Sequence, residues 1–257
     1  MKTKRMKKLL LLTLCALLMF SAARAEEAPR TERLPDEVLM TYYDRSLFVG
    51  DSLIVMFRNY VRETQKSDPD YFAGIKFYGA YNYQLRTAAA EKVGNGTSRV
   101  DLKYKGRSAT MGQIMEAEQP ARVFILAGMN ERIHAHLDWA ENYIDRIMAL
   151  RDKYSPDTEI CFFSLTPVRA KIGMTRQQKH DAYNVWLEEK CAQAGAVYID
   201  IASGLKDEDG LMTKGISSDG EFHLNDKGNA IWAAELLDFA QSRYEAGLWT
   251  PADSTEP

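Results

Sequence analysis

Several things are scarce or missing in this 257-residue chain, and each narrows the reading. It has three cysteines, at positions 15, 161 and 191. That is too few for a disulfide scaffold in which bridges replace a core. Glycine and proline together occupy only 24 positions, while hydrophobic residues make up 46% and charged residues 27%. Such a balance excludes a disordered or collagen-like chain. No apolar run reaches the roughly 20 residues a membrane span needs, so a multi-pass membrane protein is excluded as well. Basic residues are short of acidic ones, 33 against 36, and six of the basic ones lie within the first 25 positions. Beyond residue 25 the count is 27 against 36, a net charge of −9. A body this acidic argues against a binder of duplex nucleic acid, which needs cationic surface to displace counterions. Two catalytic signatures are absent too. Ser52 is followed by Leu53-Ile54 rather than completing Gly-x-Ser-x-Gly. Gly94 and Gly96 lack the third glycine of a dinucleotide fingerprint and follow no strand.

What is present begins with residues 1–25. A basic stretch ends at Lys8, an apolar run of 12 spans Leu9 to Phe20, and Ala23-Arg24-Ala25 puts small residues around a cut. We read this as a secretory signal removed near Ala25, giving a secreted, periplasmic or cell-envelope protein without stable membrane insertion after cleavage. Leu14 before Cys15 is not a small residue, which speaks against lipoprotein processing. Cys161 opens the apolar run Cys-Phe-Phe-Ser-Leu and reads as a small buried hydrophobe. Cys191 falls near the end of an expected helix. Nothing in the spacing requires these two to pair. Asn95-Gly96-Thr97 is a sequon relevant only to a eukaryotic secretory route, and Asn-Gly is equally a turn signal.

Residues 26–40, acidic and proline-containing, read as a strap or linker, and 247–257 as a tail. Between them, 41–246 read as one domain. Short apolar runs suit buried strands at Ser46 to Val49, Ile75 to Tyr78, Val123 to Ala127, Ile160 to Leu165 and Val197 to Ile201. Helical spacing fills the intervals, notably Leu137 to Tyr154, Gln177 to Ala194 and Asn229 to Tyr244. The expected face of the first comprises Leu137, Ala140, Ile144, Ile147, Met148 and Arg151. Strands alternating with helices predict an α/β fold, a parallel sheet of about five strands covered on both faces, with right-handed crossovers. Arg99 to Thr110 departs from this pattern. Val100, Leu102 and Tyr104 alternate with polar residues and Lys105-Gly106 can turn, which predicts an edge hairpin before a helix at Met111 to Glu118.

In open parallel sheets, ligands bind beyond the carboxyl ends of the strands. Four segments stand there: Gly50-Asp51-Ser52-Leu53, Gly79-Ala80-Tyr81-Asn82, Gly128-Met129-Asn130-Glu131, and, near the end, Ser218-Asp219-Gly220-Glu221-Phe222-His223-Leu224-Asn225. Taken singly they are ordinary. A serine at a helix start is usually a cap, and a glycine after a strand usually supplies a backbone angle. Together they offer a hydroxyl, amide donors and a histidine with nearby carboxylates at places that can converge on one rim. In this combination the sequence resembles the GDSL or SGNH hydrolase family. Phe48-Val49-Gly50-Asp51-Ser52-Leu53 matches the first block, Gly79 would be the glycine of the second, and Gly128-Met129-Asn130-Glu131 matches G-x-N-D with Glu in place of Asp. Asp219 to His223 is one residue longer than D-x-x-H. The likeness runs from Asp44 to about Ala240. It implies a flavodoxin-like three-layer α/β/α sandwich and ester hydrolysis through a serine.

Acyl transfer needs a nucleophile with an adjacent base, and donors aimed where the carbonyl oxygen becomes negative. Ser52 is the expected nucleophile and His223 the base. The N–H groups of Ser52 and Gly79 and the Asn130 amide are the expected oxyanion donors. Asp219 is the preferred partner of His223, with Glu221 as competitor; the residue at 131 would fix loop geometry. The scheme needs no metal or cofactor. His134-Ala135-His136 with Asp138 read as solvent-facing polar residues at a helix entry, and His180, amid Gln178, Lys179 and Asp181, reads as exposed. Tyr42, Tyr43, Tyr78, Tyr81 and Tyr83 either line a sugar-binding rim or pack at the core's edge. Ester substrates, including acylated carbohydrate, are the expected partners. The rival class is a noncatalytic module binding a glycan or peptide on the same rim. Retention of Ser52, Asn130 and His223 together favours the enzyme.

Overall fold

The computed structural model describes residues 32–94 and 100–252. Residues 1–25, read above as an export signal, and the sequon at Asn95 lie outside the described residues. Among those described, no helix is long and apolar enough to cross a membrane.

Five parallel strands form the central sheet: β1 (Ser46–Gly50), β2 (Ile75–Gly79), β5 (Arg122–Leu126), β6 (Glu159–Phe163) and β7 (Val197–Ile199), in the order β2-β1-β5-β6-β7. All five coincide with the apolar runs of the sequence. β1 is buried on both faces along its whole length. Its alternate side chains enter different cores, Leu47 and Val49 one, Phe48 the other. The first core is covered by α4 (Met111–Glu118), α5 (Leu137–Tyr154) and α6 (Met174–Ala194). The second is covered by α1 (Asp36–Met40), α2 (Ser52–Thr64) and α7 (Asp226–Glu245). It is strongly aromatic, with Phe57 stacked on Trp232 at 4.6 Å and Phe48 against Phe124 at 4.7 Å. The result is the expected three-layer sandwich.

The order of strands decides where a site can form. From β1 the chain crosses to β2 by α2 on one face. It then returns past β1 to β5, and goes on to β6 and β7, with its helices on the other face. Opposite directions of travel on opposite faces are what a single hand of crossover requires. The chain therefore diverges between β1 and β5, opening a crevice beyond their carboxyl ends. Ser52 follows β1 and Asn130 follows β5.

The edge hairpin is present, as β3 (Leu102–Tyr104) paired antiparallel with β4 (Arg107–Ala109). It buries Leu102 and Ala109 in the first core and lays Tyr104 near Tyr78 of the edge strand β2. A short helix, α3 (Leu85–Ala88), precedes it. Three expectations need correction. Residues 36–40, read as part of a strap or linker, are not a free linker: they form helix α1, whose Leu39 is fully buried in the core that α7 covers. In the expected tail, Trp249 packs edge-on against Tyr42 at 5.3 Å. On α5, Leu137 is 40% exposed and the buried face is Ala140, Ile144, Ile147, Met148 and Leu150.

Cys161 and Cys191 are both buried and free. Cys161 belongs to the second core and Cys191 to the first, so the sheet lies between them. Alkylation of the denatured, unreduced protein should therefore modify both residues in full, as read by peptide mass. A peptide pair linked through them would contradict this packing.

Candidate active site

At the end of β1, the Asp51 N–H bonds the Leu126 carbonyl at 3.2 Å, and the chain then turns into α2. The cap of that helix is Asp51, whose carboxylate accepts the Leu53 N–H at 3.0 Å. Ser52 is thus the first helical residue, and its hydroxyl is not the cap. It lies instead 2.8 Å from His223 Nε2. First-turn N–H groups have no partner within their helix, and the helix dipole adds positive potential there. The Ser52 N–H belongs to that set.

His223 lies on the segment leading into α7. Its Nδ1 stands 2.6 Å from Asp219 Oδ2. A carboxylate only accepts, so Nδ1 carries the hydrogen and Nε2 offers its lone pair to the Ser52 O–H. The extra residue between acid and histidine is taken up at Gly220, whose φ of +71° is in the left-handed region that glycine enters without penalty. This bend lets Asp219 Oδ1 accept the backbone N–H of Glu221 at 2.7 Å and the Ser217 hydroxyl at 3.1 Å. Partial burial pushes the Asp219 carboxyl up, but the Glu221 N–H, the His223 ring and Ser217 outweigh it and hold it below the ordinary carboxylate range. Glu221, the competing acid, pairs with Lys171 at 3.3 Å.

Across the crevice, the Asn130 amide donates to the Tyr83 carbonyl at 3.1 Å and, over a longer 3.4 Å, to Asp51 Oδ2. Glu131 accepts the Arg86 N–H at 3.2 Å, tying the loop after β5 to the start of α3. Loop geometry is the role the sequence suggested for position 131. Asp51 and Tyr83 were not anticipated as supports of Asn130. The signal for Asp51 was its place before a helix, where aspartate is a favoured cap.

Gly79 stands differently from the other site residues. Ala80 closes the ladder by donating to the Gly50 carbonyl at 3.0 Å, and Gly79 pairs with Gly50 in register. Alternation along a parallel strand then turns the Gly79 N–H away from β1 and from Ser52. What requires glycine here is packing, because a Cβ would come within 3.0 Å of the Val55 side chain on α2. The expectation of an oxyanion donor at Gly79 is corrected accordingly.

The histidines outside the site also differ from expectation. His180 is fully buried and His134 is 9% exposed, with ring centroids 4.8 Å apart. His180 Nδ1 donates to the Thr166 carbonyl at 3.0 Å. Burial lowers both imidazoles, His134 to about 4, so the pair is neutral at pH 7. His136 stacks on Trp139 at 4.0 Å. Among the described residues, no group of three His, Cys, Asp or Glu is placed to hold a metal ion. Of the tyrosines, Tyr42, Tyr43 and Tyr83 are core residues, Tyr78 is half-buried and Tyr81 is 60% exposed.

Asp51 is buried, and this raises its carboxyl to about 7; the Leu53 N–H opposes the rise and nearby Glu131 adds to it. The folded chain then holds a proton between pH 4 and 7 that the unfolded chain, with an ordinary aspartate, has lost. This contribution to stability is full below about pH 4 and is lost as pH rises toward 7. Asn keeps the cap and does not titrate. The stability of Asp51→Asn relative to the wild type should therefore rise by about 1–3 kcal/mol between pH 4 and pH 8. Denaturant unfolding at the two pH values measures it, and a constant difference would contradict the burial argument.

Comparison with known proteins places this geometry in a family. Residues 48–231 match the model of the GDSL-like lipase/acylhydrolase family. No curated protein sequence matches. A GDSL-like lipase from Bacteroides thetaiotaomicron has the same fold at 14% identity, with a TM-score of 0.55 over 79% of this chain and 90% of its own. An acetyl xylan esterase from Geobacillus stearothermophilus, also 14% identical, superposes with a TM-score of 0.52 over 76% of this chain and 93% of its own. The match spans the serine turn, the Asn130 loop and the His223 segment. The chain belongs to the GDSL-like lipase/acylhydrolase family and is a GDSL-type esterase.

Proposed function

We propose that the enzyme hydrolyses carboxylic esters by acyl transfer to Ser52, with His223 as general base and acid and Asp219 as its orienting carboxylate. The observation that carries the proposal is the continuous relay from Ser52 Oγ through His223 to Asp219, at 2.8 and 2.6 Å. His223 Nε2 takes the serine proton as Oγ attacks the ester carbon. The tetrahedral oxyanion is held by the Ser52 N–H and by the Asn130 amide hydrogen that now makes the long contact to Asp51. His223 then protonates the leaving alcohol as the C–O bond breaks. Water, deprotonated by the same imidazole, releases the acid and regenerates Ser52.

The substrates proposed are small acyl esters, O-acetyl groups above all, on carbohydrate or cell-envelope polymers. Two considerations support this. The export-like segment at residues 1–25 directs the protein toward such polymers, and an acetyl xylan esterase shares the fold. A panel of aryl esters from acetyl to palmitoyl, run beside acetylated xylan and peptidoglycan, tests it. Activity should fall with chain length, whereas a preference for palmitoyl would sink the small-acyl assignment.

The assigned roles set the variant kinetics. Ser52→Ala should lose about 10⁴ to 10⁶ in kcat with the fold intact. Asn130→Ala should lose roughly 10² to 10³ in kcat with little change in KM; a rise in KM alone would make it a substrate-binding residue. Asp219→Asn should cost up to about 10⁴ in kcat. Glu221→Gln, whose carboxylate faces Lys171, should cost less than about tenfold. The reverse ranking would move the acid to Glu221.

A further inference from the structure

A cleft of about 540 Å³ lies between α2 and α7, next to the segment that carries His223. Its α2 wall includes Met56, Asn59 and Glu63, which fall four, seven and eleven residues after Ser52. Residues at those intervals share one stripe of a helix, so the wall continues the stripe that begins at the nucleophile, one turn away. The opposite wall includes Leu224, which follows His223, Ser218, five residues before it, and Asn229 of α7. The Ser218 N–H bonds the His223 carbonyl at 2.9 Å, fixing that wall to the base. Asn130, by contrast, stands beyond β5, bound to Tyr83.

This placement sorts the two halves of an ester. In acyl transfer the bond to Ser52 Oγ forms first, giving the tetrahedral intermediate, and the bond between the acyl carbon and the alcohol oxygen breaks as that intermediate collapses. The proton taken from Ser52 passes from His223 Nε2 to the departing oxygen. That oxygen must therefore lie on the His223 side of the carbonyl, and the alcohol bearing it extends toward the cleft.

The lining fits a particular kind of alcohol. It offers amides at Asn59 and Asn229, a hydroxyl at Ser218 and carboxylates at Glu63 and Asp226, with no Lys or Arg among its lining residues. Asn229 is 2% exposed and its Oδ1 has no hydrogen-bond partner in the structure. A buried amide oxygen left in that condition favours a ligand that brings hydroxyl donors. From Met56 to Glu63 the wall runs about 10 Å, two helical turns, which exceeds a single small alcohol. Two carboxylates and no basic residue line the cleft, which disfavours phosphate headgroups; the neighbouring Arg58 guanidinium is engaged by Asn59 Oδ1 at 3.2 Å.

Resting on the acyl-transfer reading above, we infer that the α2–α7 cleft is the subsite for the leaving alcohol and takes a neutral oligosaccharide bearing the ester. Asn59 is exposed on the surface of α2, so a bulky residue there blocks the cleft without entering the core. The test compares kcat/KM of the full chain for acetylated xylotetraose and for 4-nitrophenyl acetate, in the wild type, Asn59→Trp and the α6 surface control Gln178→Trp. The ratio of the first substrate to the second should fall at least tenfold in Asn59→Trp, carried by KM, and stay within twofold in Gln178→Trp. An unchanged ratio in Asn59→Trp of native circular dichroism, or an equal fall in the control, would overturn the subsite. So would a wild type that hydrolyses the aryl ester but not the oligosaccharide. If the wild type hydrolyses neither, or Ser52→Ala still hydrolyses both, the acyl-transfer reading fails first.

Discussion

The capping bond from the Leu53 N–H to Asp51 is the interaction on which the rest of the site depends. A helix that starts directly after a buried strand needs a side-chain acceptor for its first-turn N–H groups. If Ser52 filled that need, its oxygen would be engaged in capping. With Asp51 in the role, Ser52 sits one position further on, at the positive end of α2 and free to meet His223. The same carboxyl group reaches Asn130 with its second oxygen. One buried aspartate thus ties together the two loops that flank the divergence of the chain between β1 and β5.

A comparable economy governs the histidine segment. One residue more than the family's usual interval separates Asp219 from His223, and the surplus would swing the carboxylate away from the imidazole in an extended chain. Gly220 removes the conflict by bending the backbone into a region other residues enter at a cost. The bridge between Ser217 and Leu224 closes the loop at its base. Asp219 then bonds backbone and ring together, so its position is fixed from both sides. The acid is held by the loop it belongs to, and the loop is held by α7, which Asn225 caps.

The parts legible in the sequence were those where one force dominates. All five strands of the sheet announce themselves as apolar runs because both their faces are buried. Ser52, His223 and Asp219, which the fold brings within hydrogen-bond distance of one another, drew attention because their residue types stand after strands or beside a helix start. What escaped notice was polar burial. Gln177, His180 and Asn184 lie on one stripe of α6, and hydropathy reads them as exposed. They are buried because that stripe meets irregular backbone: the Val168 N–H donates to Gln177, the Leu165 N–H to Asn184, and His180 to the Thr166 carbonyl. Backbone that leaves a sheet must find partners, and polar side chains on a neighbouring helix supply them in this fold. Gly79 misled for the opposite reason. The likeness to the family's second block suggested a donor, whereas the ladder's alternation and the packing of Val55 account for the glycine.

Labelling with diisopropyl fluorophosphate tests the central claim most directly, because it asks the serine to react and does not require the natural substrate. With Ser52 as the nucleophile, the active protein takes up one phosphoryl group, tandem mass spectrometry locates it on Ser52, and loss of esterase activity follows its stoichiometry. An active protein that takes up no label, or carries it on another residue while Ser52 stays unmodified, would contradict that role for Ser52.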